Sequence, residues 1–99
     1  MIKISEINIL KISKKDNVAV LLSDATEGDY YIYNDKKYEL NEDIKFGHKV
    51  ALNDIKKDEK IIKYGEVIAY AKEDIPAGSW IHNHNIVSDR GRLKAGDDR

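Results

Sequence analysis

The sequence predicts a mainly β domain, compact and built from short strands joined by tight turns. Two observations favour this fold class. Apolar residues alternate with polar ones more often than they follow a helical period, and one turn pattern recurs four times along the chain. Because tight turns follow one another so closely in the sequence, no segment between them can form a long helix. We therefore expect a barrel-like or clip-shaped domain over residues 1–87.

The first strands are predicted from alternation and from the turns between them. Ile7 to Ile12 is typical of a strand whose register shifts at Leu10. Asp16-Asn17 is a turn signal, and the apolar run from Val18 to Leu22 after it has the length of a buried strand. Two extended segments therefore open the domain.

A hairpin is predicted next. Tyrosine beside isoleucine in Tyr30-Tyr31-Ile32-Tyr33 favours a half-buried pleated surface. Asn34-Asp35 supplies the turn, and Tyr38 and Leu40 continue on the return strand. These residues indicate two antiparallel strands.

The recurring pattern is an Asp, an apolar residue, two variable residues, a residue suited to positive φ, and a further apolar position three residues later. Glycine occupies the positive-φ position in three copies, and Asp58, a residue type that tolerates the left-handed region, occupies it in the third. The starting aspartates are 19, 11 and 20 residues apart, so the spacing is too irregular for a solenoid. The copies begin at Asp24, Asp43, Asp54 and Asp74.

Composition narrows the possible functions. A net charge of −1 disfavours nucleic-acid binding, and the absence of cysteine excludes thiolate chemistry and suits a reducing compartment. The start of the chain carries charges where a signal peptide needs an apolar run, and no stretch is long enough to span a bilayer. We expect a soluble, cytoplasmic protein without membrane contact. The polar segment 88–99 is predicted to be a flexible tail.

All three histidines are candidates for chemistry. If His82 and His84 share one face of a strand, their Cα atoms lie about 6.5–7 Å apart, which lets two imidazoles converge on one ion or oxyanion. His48 follows Gly47 at a turn, so its ring can lie at the mouth of the fold. The alternative is an ordinary polar strand face, since two alternating histidines are only part of a ligand set.

Other side chains give weaker signals. Lys49 and Lys63 adjoin glycine-containing turns and could bind a carboxylate, although lysines in such settings are more often solvated. Trp80 is expected to anchor a core or an interface. Phosphate-binding loops, nucleophile elbows and calcium loops are missing from the sequence. A domain this small needs a partner to enclose a substrate.

Four motifs follow one another along the chain. They are Asp16-Asn17-Val18-Ala19, Gly47-His48-Lys49-Val50-Ala51-Leu52, Ile62-Lys63-Tyr64-Gly65 and His82-Asn83-His84-Asn85. In this order and at similar spacing, they resemble the altronate dehydratase and galactarate dehydratase family, in its N-terminal SAF domain with a β-clip fold. The resemblance covers about residues 7–88, nearly the whole predicted domain.

This resemblance implies a hydro-lyase that dehydrates a sugar acid to a 2-keto-3-deoxy acid with a divalent metal, Fe(II) or Mn(II). Removal of a weakly acidic α-proton requires charge stabilisation, and loss of the hydroxyl requires an acid, a task suited to histidine. The implied catalytic residues and metal ligands are His48, His82 and His84. The implied substrate-binding residues are Lys49, Lys63 and Asn85.

The resemblance also implies a partner, because the larger catalytic part of that family is not present in these 99 residues. The chain starts with Met and stops soon after the domain, so we expect a small subunit that is inactive without a large one and that could also self-associate. Two alternatives stay open: the small subunit of a sulfolactate sulfo-lyase, and a non-catalytic module that binds carbohydrate or protein.

Overall fold

A computed structural model describes residues 3–88, and this part of the chain consists of nine short strands without a helix. The predicted mainly β class is therefore confirmed. No helix in this part is long and apolar enough to cross a membrane. The strands are β1 (Ile9–Leu10), β2 (Val18–Leu21), β3 (Tyr30–Tyr33), β4 (Lys36–Glu39), β5 (Lys49–Ala51), β6 (Lys60–Lys63), β7 (Glu66–Ala71), β8 (Trp80–Ile81) and β9 (Ile86–Val87).

The strands form three small antiparallel sheets. The central sheet has the order β1-β2-β5-β8, β3 and β4 form the predicted hairpin, and β6-β7-β9 form the third sheet. In the hairpin, Asn34 and Asp35 have φ angles of 53° and 64°. Two adjacent positive φ angles match the twist of the flanking strands.

Two hydrophobic clusters lie on opposite faces of the central sheet. Neighbouring residues of a strand point to opposite faces, so Val50 of β5 contributes to the first cluster and Ala51 to the second. The first cluster also contains Tyr31, whose hydroxyl donates a 2.6 Å hydrogen bond to the carbonyl of Ala51. Burial raises the pKa of this hydroxyl, which therefore stays protonated and donating.

All four predicted turns form. The residue in the positive-φ position has a φ of 95° at Gly28, 85° at Gly47, 74° at Asp58 and 89° at Gly78. Each turn is closed by a backbone hydrogen bond from the residue that follows to the carbonyl three residues earlier. Asp58 thus takes the conformation predicted from its place in the pattern.

The starting aspartates connect the four turns in pairs. Within each pair the apolar residues after the aspartates form a β-bridge, Ala25 with Ile44 and Ile55 with Ile75. Each aspartate then accepts a hydrogen bond from a backbone N–H of the other turn. These bonds run from Phe46 to Asp24 (2.8 Å), from Glu27 to Asp43 (2.9 Å), from Ala77 to Asp54 (2.9 Å) and from Lys57 to Asp74 (2.9 Å).

The same structural unit therefore occurs twice in the chain. The N–H of Gly28 donates to the carbonyl of Leu40, and the N–H of Asp58 donates in the same way to Ala71. Each unit contains one hairpin, β3-β4 or β6-β7, between its two turns. The four sequence copies are two reciprocal pairs.

Several boundaries differ from the sequence predictions. The first strand is only Ile9–Leu10, because Ile7 is instead hydrogen-bonded to Tyr30 and buried in the first cluster. The second ends at Leu21 and the fourth at Glu39. Strands β7 and β9 were not predicted. The described chain ends just after β9, so the predicted tail, apart from Ser88, lies outside the described residues.

Candidate functional site

The rings of His48, His82 and His84 surround the indole of Trp80. The Trp80 ring centroid lies 5.5 Å from that of His48, 4.7 Å from that of His82 and 5.2 Å from that of His84. The rings of His82 and His84 are 6.4 Å apart. His82 and His84 are exposed, and the other two side chains are half-buried. The structure thus brings the three predicted histidines together at the surface, in what we call the histidine–tryptophan cluster.

The central sheet sets the position of Trp80 and His48. Trp80 on β8 pairs with Val50 on β5, and its indole packs against the first hydrophobic cluster. His48 follows Gly47, and its carbonyl accepts a 2.9 Å hydrogen bond from the N–H of Leu21. Its ring therefore projects where the chain leaves the turn and enters β5.

His82 and His84 lie on a turn, which corrects the prediction that they share a strand face. Strand β8 ends at Ile81, and the N–H of Asn85 donates a 3.0 Å hydrogen bond to the carbonyl of His82. The two rings are brought to one side by their packing around Trp80, and strand alternation plays no part.

The buried side chain of Asn85 fixes this turn through two hydrogen bonds to the backbone. Its Oδ1 accepts a hydrogen bond from the N–H of His82 (3.0 Å), and its Nδ2 donates to the carbonyl of Trp80 (2.8 Å). Asn85 therefore positions the two histidines. Its predicted contact with substrate stays a prediction.

The two predicted lysines lie near each other but on a different face. Lys49 shares its face of β5 with Ala51 of the second hydrophobic cluster, whereas Trp80 and the His48 ring lie on the side of the first. Burial, and secondarily the charge of Lys63, lower the pKa of Lys49. Neither ammonium group forms an ion pair within residues 3–88. The structure therefore separates the lysine pair from the histidines.

The side chains of Asp16 and Asn17 hold the turn that follows Lys63 by hydrogen bonds. The Asp16 carboxylate accepts hydrogen bonds from the N–H of Gly65 (2.8 Å) and of Ser13 (3.0 Å). The Asn17 side chain accepts from the N–H of Ile62 at 2.8 Å. Two of the four motifs therefore form one structural unit, just as the other two meet at the histidine–tryptophan cluster.

The described residues do not assemble a metal site by themselves. No group of three or more histidine, aspartate or glutamate side chains within residues 3–88 is arranged to hold an ion. In addition, one ring nitrogen of His48 accepts a hydrogen bond from the indole of Trp80. The predicted three-histidine ligand set is thus not formed by this part of the chain.

The histidines also lie outside a surface cavity that is formed by other described residues. That cavity has a volume of about 430 Å³ and is lined by Asn17, Asn53, Asp58, Glu59, Lys60 and Ile62. None of the predicted site residues lines it. The cluster is an open surface, so any substrate bound there needs walls from other residues.

Comparison with known proteins identifies the family of this chain. A family model described as the altronate/galactarate dehydratase SAF domain matches residues 7–89. The chain belongs to this family. The match contains all four motifs, and therefore both the histidine–tryptophan cluster and the contact of Asp16-Asn17 with the turn after Lys63.

The SAF domain has relatives among characterised lyases. The chain is 42% identical over 78 residues to altronate dehydratase of Bacillus subtilis and 46% identical over 76 residues to altronate dehydratase of Escherichia coli. These segments are 79% and 77% of this chain but only 16% and 15% of the two enzymes. The chain therefore spans about one sixth of the length of these relatives.

A third relative is itself a subunit. The chain is 35% identical over 54 residues to the alpha subunit of (2R)-sulfolactate sulfo-lyase from Chromohalobacter salexigens. This segment is 54% of this chain and 57% of that subunit.

The roles of Trp80 and of Asp16-Asn17 were not predicted from the sequence. Trp80 was expected only to anchor a core or an interface, yet it touches all three imidazoles. Its place two residues before His82 in a Trp-x-His-x-His segment indicates only that it is close in sequence to two of the histidines, and nothing local indicates the contact with His48. The hydrogen bonds of Asn17 to Ile62 and of Asp16 to Gly65 had no local signal, because these residues lie 45 and 49 residues apart in the chain.

Proposed function

We propose that this SAF domain is the small part of a lyase that removes water from a sugar acid. The main support is the gathering of three imidazoles around Trp80 at an open surface, in a family whose named relatives include altronate and galactarate dehydratases. In this proposal the histidine–tryptophan cluster faces the substrate, and another polypeptide segment closes the site.

The reaction suits the residue types in the cluster. Dehydration of a sugar acid removes a proton next to the carboxylate and expels a hydroxide that must be protonated. Imidazole exchanges protons near neutral pH, so His82 and His84, both exposed, are the candidates for proton transfer or for direct contact with substrate oxygens.

A divalent metal, Fe(II) or Mn(II), is part of the proposal but not of this domain alone. When bound, such an ion would stabilise the negative charge that develops as the proton is removed. Because residues 3–88 hold no complete ligand set, we propose that most ligands come from the catalytic remainder. His82 and His84 would supply at most part of the set.

We further propose that the catalytic remainder is a separate large subunit and that the complex is cytoplasmic. The relative from Chromohalobacter salexigens is named as the alpha subunit of a sulfo-lyase, which supports a two-subunit arrangement. The same relative favours a second candidate reaction, loss of sulfite from sulfolactate. Both reactions expel a group from a hydroxy acid.

The decisive experiment is purification of the full-length protein from its native host with whatever associates, followed by assays with added Fe(II) or Mn(II). Turnover of altronate or galactarate supports the hydro-lyase, and sulfite release from (2R)-sulfolactate supports the second candidate. Absence of both activities from a complex that contains a large subunit would refute the proposal.

Substitution of the exposed histidines tests their role. We expect His82→Gln or His84→Gln to lower kcat at least about tenfold, the loss of one transition-state interaction of about 1.4 kcal/mol. Thermal stability should change little because both rings are exposed. Asn83→Ser in the same turn is the matched control, since its side chain makes no hydrogen bond within residues 3–88. Equal losses in activity and stability would indicate a packing role instead.

The lysine pair is proposed to bind a carboxylate, and a double substitution identifies whose carboxylate it is. In Lys49→Met/Lys63→Met, loss of a substrate contact raises KM about tenfold or more, since hydrogen bonds to charged groups contribute about 1.5–3 kcal/mol. If the carboxylate belongs to the large subunit, association weakens and KM of the saturated complex stays unchanged. Lys60→Met, on the exposed start of β6, is the control. No effect on either quantity would contradict both assignments.

A further inference from the structure

The contact between Trp80 and His48 has a defined chemical direction. The indole Nε1 donates a hydrogen bond to Nδ1 of His48 at 3.1 Å. An indole N–H can only donate, so the imidazole nitrogen that it meets must be an acceptor. The alternative orientation of the imidazole ring would place a carbon atom opposite the N–H and leave this half-buried donor without its partner.

This direction determines the tautomer of His48. A nitrogen that accepts a hydrogen bond carries no hydrogen, so the neutral ring carries its hydrogen on Nε2. Nε2 is then a hydrogen-bond donor and has no lone pair for a metal ion. Neither ring nitrogen of His48 is therefore available to bind a metal ion. The ring nitrogens of His82 and His84, in contrast, have no hydrogen-bond partner within residues 3–88.

Backbone contacts hold both partners in this arrangement. The N–H of Trp80 donates to Oε2 of Glu42 at 3.2 Å, and its carbonyl accepts from Asn85 at 2.8 Å. His48 donates through its own N–H to the carbonyl of Lys45 at 3.1 Å. The tautomer is therefore built into the fold before any ligand binds.

We propose that Trp80 fixes His48 as the Nε2–H tautomer, so that His48 serves as a hydrogen-bond donor to an oxygen of the bound sugar acid and not as a metal ligand. Trp80 is then a positioning residue. The substrate half of this inference rests on the proposed function; the tautomer half does not. It replaces the expectation from sequence that all three histidines bind the ion.

The tautomer is tested on the full-length chain by ¹⁵N NMR of its histidine rings, at a pH where the rings are neutral. Nitrogens with and without hydrogen have well separated shifts. We expect a single Nε2–H form for His48, and a mixture of both tautomers after Trp80→Phe, which keeps an aromatic ring against the core. His82 and His84 are the internal references. An Nδ1–H form, or no change after Trp80→Phe in a chain with an intact backbone spectrum, would overturn the assignment.

The donor role is tested in the purified complex with two isosteric substitutions. Glutamine can accept from Trp80 and still donate an N–H near the position of Nε2, whereas glutamate can accept but has no hydrogen to donate. We expect His48→Gln to keep activity within about threefold and His48→Glu to lose about tenfold or more, with the metal content of both unchanged. Loss of metal from His48→Gln would show that His48 is a ligand and would overturn the proposal.

The two arms separate this inference from the function proposed above. A single Nε2–H tautomer in a chain whose complex turns over neither sugar acids nor sulfolactate would leave the Trp80–His48 assignment intact and refute the lyase. Turnover together with a mixed tautomer in the unsubstituted chain would do the reverse.

Discussion

Two glycines with nearly the same backbone conformation have different surroundings. Gly47 and Gly78 have φ angles of 85° and 89°, a backbone conformation that residues other than glycine rarely adopt. A Cβ at Gly47 would meet nothing within 4 Å, whereas a Cβ at Gly78 would collide with the backbone carbonyl of Glu39. At the first position only the backbone conformation favours glycine. Conformation and close backbone approach together require it at the second.

Alanine substitution separates these two requirements. Gly47→Ala should lower the free energy of unfolding by about 1–2 kcal/mol, the usual cost of the left-handed conformation for an L-residue. Gly78→Ala should cost about 2–5 kcal/mol, because overpacking against backbone adds about 1–3 kcal/mol. Urea denaturation of the two variants measures the difference. Equal losses would show that the backbone at Glu39 yields without cost.

At the scale of elements, the hairpin β6-β7 is held to the rest of the domain by the segment before β2. Asp16 is buried, and its carboxylate accepts from the N–H groups of Gly65 and Ser13. Burial alone would raise the pKa of this carboxyl, but the backbone donors outweigh it and the net pKa is lowered. The charged form of Asp16 therefore stabilises the fold and fixes the turn after Lys63.

This linkage predicts a pH dependence. A carboxyl whose pKa is lower in the folded than in the unfolded state stabilises fully above the unfolded value of about 3.9, and the contribution is lost as pH falls through the folded value. Asp16→Asn should cost about 1–3 kcal/mol at pH 7, and its stability should converge on that of the unsubstituted chain below about pH 4. Thermal denaturation as a function of pH tests this. The control is Asp35→Asn, at an exposed position without side-chain hydrogen bonds in residues 3–88, and it should leave the curve unchanged.

Across the whole molecule, the four turns are organised as two reciprocal pairs. Asp24 and Asp43 each accept an N–H from the other's turn, and Asp54 and Asp74 repeat this arrangement in the second half. Each pair has its own backbone bridge. The bridging residues of the first pair belong to the first hydrophobic cluster and those of the second pair to the second cluster. Coupling should therefore be strong within a pair and weak between pairs.

Double-mutant cycles measure this organisation. We expect Asp24→Ala and Asp43→Ala to interact by about 0.5–1 kcal/mol, because each removes an acceptor from the same pair of turns. Asp24→Ala and Asp74→Ala, from different pairs, should be additive within about 0.5 kcal/mol. The free energies come from urea denaturation of the single and double variants. Equal coupling in both cycles would contradict two independent pairs.

Local patterns were sufficient to predict much of the fold. The hairpin at Asn34-Asp35 and all four turns follow from residue types that tolerate positive φ, a property of each residue and its neighbours. The first strand was predicted too long, and its true bounds, Ile9–Leu10, are set by pairing with β2; the two-residue strand β9 exists only through pairing with β7. Two residues carry too little periodicity to be recognised, so β9 and the true bounds of β1 could not be predicted from the sequence.

The candidate site divides in the same way. The sequence by itself determined the three histidines, the positions of the turns and, through the four motifs, the family, because these depend on residue identity and short spacing. Only the tertiary structure decided that His82 and His84 lie on a turn, that Trp80 stands between all three rings, and that the lysines occupy another face. Those facts depend on the register of β5 with β8 and on hydrogen bonds between residues far apart in the chain, and no local pattern encodes either.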